Sequence, residues 1–184
     1  HRRDMPHCMG TLVWQHNDCW PVASWAARDY YGRWKAQQYY SKYALDDILV
    51  SPVVMNDTLT VNIVTDRRTP AKGKFTLTAM TLDGKPVWEK SFNFNAKPLT
   101  STEAFRDKVS NLLNGLDRRD VIFVTSFATG DRVYNNVGYA TKQKNMNYGS
   151  PKLKIDIAKA DGGYDVTLGS DVFARAVFMS LDGI

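Results

Sequence analysis

The sequence contains very little glutamate. Of its 19 acidic residues only Glu89 and Glu103 are glutamates, and both lie in stretches that predict surface strands or a helix cap. Enzymes that use two carboxylates as acid and base or nucleophile hold them roughly 5 to 9.5 Å apart. No such pair is indicated here. The sequence also lacks a glycine-rich phosphate loop and a recognisable arrangement of nucleophile, base and orienting residue.

Cysteine is equally sparse, with only Cys8 and Cys19. Neither belongs to a CxxC pair or lies at zinc-finger spacing from two histidines, so no metal site is predicted, and no motif indicates a cofactor. We expect buried free thiols, with a Cys8–Cys19 disulfide as the alternative. No apolar run reaches the about 18 residues of a membrane-spanning helix, and no signal peptide is recognisable. The net charge of +5 comes from scattered residues, so neither nucleic acid nor a membrane is an expected partner.

Aromatic residues, by contrast, are concentrated before residue 45, where four of the five tryptophans lie. Residues 10–14 (GTLVW) are apolar without alternation, which is typical of a parallel strand buried on both faces. A polar and aromatic loop follows over residues 15–29, and apolar residues on one helical face predict a helix over 33–45. One βα unit cannot bury its own apolar face. We therefore expect residues 1–45 to be poorly packed unless a missing upstream part covers them.

From residue 46 the pattern changes to short alternating runs separated by turn residues. Leu59, Val61 and Ile63 alternate with polar residues, and similar runs recur at intervals that predict a β-sandwich. The Asp83–Gly84 pair predicts a hairpin turn. Residues 100–116 fit either a capped helix or a strand followed by a short helical turn, and we expect the second because a sandwich needs the strand.

A boundary near residues 148–151 separates this region from a shorter one. Strands are predicted at 152–157, 164–168 and 172–181, the first two joined by a turn at 161–163. Three strands with unpaired edges do not make a stable unit. We interpret them as the start of a second sandwich.

The aromatic region supplies the candidate binding residues. Trp14 ends the predicted parallel strand, and the active sites of (β/α)8 barrels lie at such strand ends. Because an indole face packs well on the C–H face of a sugar, Trp14 is our first candidate for a sugar-binding wall and Trp20 the second. Core packing is the alternative reading for both, and the favoured one for Trp25 and Trp34. For Asp18 we expect a structural role, with its carboxylate accepting backbone hydrogen bonds from the loop.

The first segment resembles the end of the catalytic barrel in glycoside hydrolase family 2, specifically its β-mannosidases. The resemblance rests on residues 8–15 (CMGTLVWQ), 17–25 (NDCWPVASW) and 29–36 (DYYGRWKA). The remainder resembles the layout of that family, including the stretch SDVFAR near the end. The chain departs from the family pattern at His16, where leucine is expected, and at Arg28, where a small or apolar residue is expected.

The resemblance implies a mainly β chain in three parts. Residues 1–45 would be the last βα unit of a TIM barrel, 46–149 an immunoglobulin-like β-sandwich, and 150–184 the truncated start of a C-terminal β-sandwich. The implied activity is exo-acting, retaining hydrolysis of terminal non-reducing β-D-mannose. The family's two catalytic glutamates lie on earlier barrel strands, so this chain alone is expected to be inactive. The implied location is periplasmic or secreted.

The resemblance also implies site residues and partners. Trp14, Asn17, Asp18 and Trp20 match the wall and loop that border the mannose subsite. The partners would be β-mannoside saccharides and the remainder of the catalytic domain. Two other interpretations stay open: a carbohydrate-binding or purely structural β-sandwich module, and a β-galactosidase or β-glucuronidase of the same family.

Overall fold

The computed structural model describes residues 1–180, and the chain is mainly β, as predicted. Its strands are β1 (Ile48–Met55), β2 (Thr58–Thr65), β3 (Ala71–Thr81), β4 (Pro86–Ala96), β5 (Thr100–Lys108), β6 (Val121–Thr129), β7 (Arg132–Tyr139), β8 (Leu153–Ala160) and β9 (Gly163–Ser170). Its α-helices are α1 (Ala36–Ala44) and α2 (Val109–Leu113). Short 3₁₀ turns lie at Arg2–Asp4, Arg118–Asp120 and Gln143–Asn145. None of the described helices is long and apolar enough to cross a membrane.

The first seven strands form an immunoglobulin-like sandwich of two antiparallel sheets. One sheet has the order β1-β2-β5 and the other β4-β3-β6-β7. The alternation seen in the sequence explains the core, because Leu59, Val61 and Ile63 all point inward from β2 and are fully buried. Phe75 and Phe123 meet them from the opposite sheet. Each such side chain contributes about 1.5–3 kcal/mol through the surface it removes from water.

The predicted hairpin turn and the predicted strand–helix order are both confirmed by the backbone. Gly84 connects β3 to β4 at a φ of 83°, in the left-handed region that glycine tolerates best. In the ambiguous stretch, β5 leads directly into α2, so the expectation of a strand followed by a short helix is confirmed. The helix ends at Asn114 and Gly115, both with positive φ, which is a common way for a helix to stop.

Beyond the sandwich, β8 and β9 form a two-stranded hairpin. Alternate residues give it one apolar face, on which Leu153, Ile155 and Ile157 are exposed. The third strand predicted at 172–181 is wrong over residues 172–180, while residue 181 lies outside the described part. A strand needs a partner, and the segment bonds elsewhere instead: the N–H of Phe173 donates to the carbonyl of Leu82.

The aromatic segment differs most from expectation. Residues 10–14 form no strand, because a parallel strand requires neighbouring strands to complete its hydrogen bonds and the described chain offers none. The helix predicted over 33–45 begins only at Ala36, since the carbonyl of Arg33 accepts from the N–H of Asp29 and is not free to start an i to i+4 hydrogen bond. Only Ala26 and Ala27 are buried apolar residues of this segment. It is poorly packed within this chain, as predicted.

Candidate functional site

The loop after residue 14 follows a defined path although it contains no strand. The N–H of Asp18 donates to the carbonyl of Arg28 (3.0 Å), and the N–H of Arg28 donates to the carbonyl of His16 (2.9 Å). Arg28 also bridges to Trp34 on its other side. Three short stretches of chain therefore lie side by side, and they hold the candidate residues in place.

Asp18 is the buried polar centre of this loop. Its carboxylate accepts hydrogen bonds from the Ser24 hydroxyl (2.5 Å) and from the Lys35 ammonium group (2.9 Å). These two hydrogen bonds lower the pKa of Asp18 below its ordinary value, although burial opposes them. The expected structural role is therefore right, but the donors are side chains rather than backbone groups. The sequence offered no signal for Ser24 or Lys35, which lie six and seventeen positions away.

The other three candidates are exposed. Trp14 keeps 76% of its accessible surface and Trp20 keeps 67%, so both indole faces are open to a ligand or to a covering surface. The Asn17 side chain donates only a long hydrogen bond to the adjacent Asp18 carbonyl (3.3 Å). A shallow depression includes Asn17 and Asp18 but neither tryptophan. The structure thus brings two of the four candidates together and leaves the two tryptophans outside that depression.

His16 and Arg28, the two residues that depart from the family pattern, both contact the ring of Trp34. The His16 ring meets the Trp34 ring edge-on, with centroids 5.7 Å apart. The Arg28 guanidinium lies over the same ring at 5.2 Å and donates to the Gly32 carbonyl. The sequence flagged His16 and Arg28 separately, and their contact with one indole was not foreseen. Core burial of Trp25 and Trp34 is wrong, since Trp25 keeps 71% and Trp34 keeps 41% of its accessible surface.

The two glutamates lie on strands of the sandwich, outside this loop. Glu103, on β5, forms an ion pair with Arg106 (2.5 Å), and Glu89, on β4 in the other sheet, accepts a hydrogen bond from Thr78 (3.1 Å). Near the candidate loop, the Asp29 carboxylate is paired with Arg33.

The cysteines add no site. Both are free thiols, as expected, but the predicted burial is wrong: Cys8 is half-buried and Cys19 is exposed. The segment that carries them has almost no core in which a thiol could be buried. Among residues 1–180, no group of three or more His, Cys, Asp or Glu side chains is arranged to hold a metal ion.

Comparisons with known proteins extend over nearly the whole chain. Residues 57–145 match the family model of the Mannosidase Ig/CBM-like domain, a region that runs from β2 through β7. Beta-mannosidase A of Aspergillus oryzae is 31% identical over 166 residues, which are 86% of this chain and 18% of that protein. Beta-mannosidase A of Aspergillus niger is 30% identical with the same coverage.

A solved structure shows the same likeness in three dimensions. The β-D-mannosidase from Dictyoglomus thermophilum superposes with a TM-score of 0.84 at 25% identity, over 98% of this chain and 22% of that one. The chain thus spans about a fifth of the length of the curated relatives it matches. Residues 57–145 thus match a Mannosidase Ig/CBM-like domain, and the chain as a whole is similar to one part of β-mannosidases.

Proposed function

We propose that the chain is part of an exo-acting, retaining β-mannosidase of glycoside hydrolase family 2 that removes terminal non-reducing β-D-mannose. The observation that carries this proposal is the likeness to a β-D-mannosidase over 98% of the chain, because it includes the aromatic segment as well as the sandwich. In this proposal residues 1–45 are the last βα unit of the catalytic barrel. Residues 46–149 are the immunoglobulin-like domain, and 150–184 begin a C-terminal sandwich.

The aromatic segment would then be one wall of the mannose site. Trp14 and Trp20 offer exposed indole faces, which stack on the apolar side of a pyranose ring. Asn17 offers an exposed amide that can both donate to and accept from sugar hydroxyls. Asp18 contributes indirectly, since its carboxylate is already engaged by Ser24 and Lys35 and so fixes the loop.

The remainder of the barrel would be the partner that covers this segment. Exposed aromatic side chains cluster there: Trp25, Tyr30, Tyr31, Tyr40 and Tyr43. Exposed apolar groups at this density are typical of a surface that another layer buries. Residues 10–14 would form their strand once parallel neighbours are present, which explains why an apolar stretch lies exposed in this chain.

The catalytic glutamates would come from that same remainder. A retaining glycosidase needs two carboxylates about 5–5.5 Å apart. Glu89 and Glu103 lie on different sheets of the sandwich and are each engaged locally, so neither is proposed to act in catalysis. We therefore expect this chain alone to bind saccharide weakly and to turn none over.

A titration of the chain with mannose and mannobiose tests this function. Binding should be lost in Trp14→Ala and retained in Tyr164→Ala, which removes a similarly exposed aromatic from β9. The same samples should hydrolyse an aryl β-mannoside no faster than buffer. Turnover above buffer would show that the chain carries its own catalytic carboxylates.

A second candidate function follows from the matched family itself, whose description includes a carbohydrate-binding-module-like domain. In this case the sandwich, rather than the aromatic segment, would contact the saccharide or serve only as structure. The same titration separates the two functions. Saccharide binding that persists unchanged in Trp14→Ala would favour the sandwich as the binding module.

A further inference from the structure

The first described turn of the chain is attached to the immunoglobulin-like sandwich by two neighbouring arginines. Arg2 and Arg3 lie in the 3₁₀ turn at Arg2–Asp4, and both residues are half-buried. They reach different targets, one at the end of α1 and one on the sheet β1-β2-β5. We call this pair the arginine clamp.

Arg3 is held on the outer face of the sheet. Its guanidinium donates to the Thr60 hydroxyl (2.7 Å) and to the Asn62 side-chain oxygen (2.8 Å), both on β2. A longer hydrogen bond reaches the carbonyl of Ser51 on β1 (3.4 Å). All three acceptors are neutral, and the carboxylates of Asp4 and Glu103 add charge attraction, so the contact depends on both the forked geometry of arginine and its charge.

Arg2 ties the start of the aromatic segment to its end. Its guanidinium donates to the carbonyls of Ala44 (2.7 Å) and Asp46 (2.8 Å), at the C-terminus of α1. The same group pairs with Asp66, just after β2 (2.9 Å), and only 12% of the Arg2 side chain is exposed. A cation at these carbonyls also interacts favourably with the helix dipole.

The arginine clamp therefore closes a loop of more than 40 residues against the sandwich. Inside that loop only Ala26, Ala27 and Asp18 are buried, so the segment has almost no core to fix its position. A segment without a core is positioned by its attachments, and the clamp supplies the attachment at its beginning. Trp14 and the 17–20 loop lie between the two ends that Arg2 connects.

We propose that the immunoglobulin-like sandwich is the platform that positions the sugar wall, and that Arg2 and Arg3 are its positioning residues. This rests on the proposed function, because only then is the aromatic segment a sugar wall. The sandwich would thus contribute to mannose binding without touching the sugar. Thr60 and Asn62, which otherwise are unremarkable polar residues of an outer sheet face, are the receiving side of this contact.

Peptide-resolved hydrogen exchange on the full chain tests the proposal without any saccharide. In Arg3→Ala, the backbone amides that form hydrogen bonds within residues 15–35 should exchange about tenfold faster or more. That factor corresponds to the free energy lost when hydrogen bonds from a charged group are removed. Exchange in β3 and β6 should not change. Arg3→Lys keeps the charge but not the fork, and should protect these amides only partly.

Two further variants show whether the effect passes through the contact. Asn62→Leu removes the Arg3–Asn62 hydrogen bond and a second one to Ser101, and it should loosen the same peptides. Combined with Arg3→Ala it should have less than the sum of the two single effects, because both changes remove the Arg3–Asn62 hydrogen bond. Arg119→Ala is the matched control: it removes an exposed arginine of the Arg118–Asp120 turn that pairs locally with Asp117. That variant should exchange like the unaltered chain.

Several outcomes would overturn the proposal. They are an aromatic segment without protection in the unaltered chain, exchange unaffected by Arg3→Ala, fully additive single variants, or equal loosening of the sandwich and the segment. The exchange experiment contains no sugar, so it tests the arginine clamp independently of the sugar site. A failed mannose titration would contradict the proposed sugar site but not the clamp.

Discussion

At the scale of single residues, Asp47 connects the start of β1 to the chain just after β2 and to β7. Its carboxylate accepts hydrogen bonds from Arg67 (2.6 Å) and from the Tyr134 hydroxyl (2.8 Å). Partial burial, the largest single influence, would raise the pKa of Asp47, but these hydrogen bonds together outweigh it and lower the pKa to about 2. The adjacent Asp46 pairs with Arg132 (2.6 Å), which extends the network to β7.

The lowered pKa predicts an acid-dependent loss of stability. A carboxyl group whose pKa is lower in the folded chain stabilises it fully above its ordinary pKa of 3.8, and this stabilisation is lost as the pH falls through the folded-state pKa of about 2. Asp47→Asn should lower the free energy of unfolding by about 1 kcal/mol at pH 6, a value reduced for solvent screening, and the difference should become much smaller by pH 2.

Urea unfolding across this pH range measures the effect. Asp131→Asn, in the exposed β6–β7 turn, is the control and should give the same curve as the unaltered chain. A difference between Asp47→Asn and the unaltered chain that stays constant from pH 6 to pH 2 would contradict the proposed ionic role.

The structural role of Asp18 could be predicted from the sequence, but its hydrogen-bond partners could not. An aspartate in a loop readily accepts hydrogen bonds from nearby groups and so indicates a structural function. Ser24 and Lys35 approach it only because the chain folds back on itself twice, and no periodic pattern encodes such a path. The exposure of Trp25 and Trp34 was missed for a related reason: apolar character indicates a tendency towards burial, not which surface provides it.

At the scale of elements, Gly73 shows how closely β3 and β6 approach. A Cβ atom at this position would lie 2.1 Å from the carbonyl oxygen of Ala128, a backbone atom that cannot move aside alone. Gly73→Ala should therefore push the strands apart and cost about 1–3 kcal/mol of stability, the usual range for an overpacked site.

The same substitution at Gly163, in β9, is the matched control for unfolding by urea. A Cβ atom there meets nothing within 4 Å. We expect its unfolding midpoint to stay within the error of the unaltered chain. Equal midpoints for Gly73→Ala and Gly163→Ala would mean that the two strands separate at little cost.

Strands whose own sequence alternates apolar and polar residues could be predicted, whereas segments that need a particular partner strand could not. In β2 and β3, apolar and polar residues alternate because one face of each strand contacts the core and the other does not. Both strands could therefore be predicted. The apolar run at 10–14 has the composition of a strand but no partner strand among residues 1–180, and residues 172–180 likewise join no sheet there. Hydrogen bonding between strands is a property of pairs, which a single run cannot encode.

At the scale of the whole molecule, the chain combines a well-packed sandwich with two poorly covered flanks. The sandwich has a continuous core drawn from both sheets. The aromatic segment and the β8–β9 hairpin instead expose large apolar side chains such as Trp14 and Ile157. This contrast supports the proposal that both flanks pack against further parts of a larger enzyme, and the fold of the sandwich alone could be predicted without them.

The coding sequence immediately upstream of His1 tests this central claim most directly. Determining it from the source transcript should reveal, in the same reading frame, further βα units of a barrel with two glutamates at strand ends. An in-frame start codon without such units, or an upstream region that encodes an unrelated domain, would contradict the assignment of this chain to a β-mannosidase.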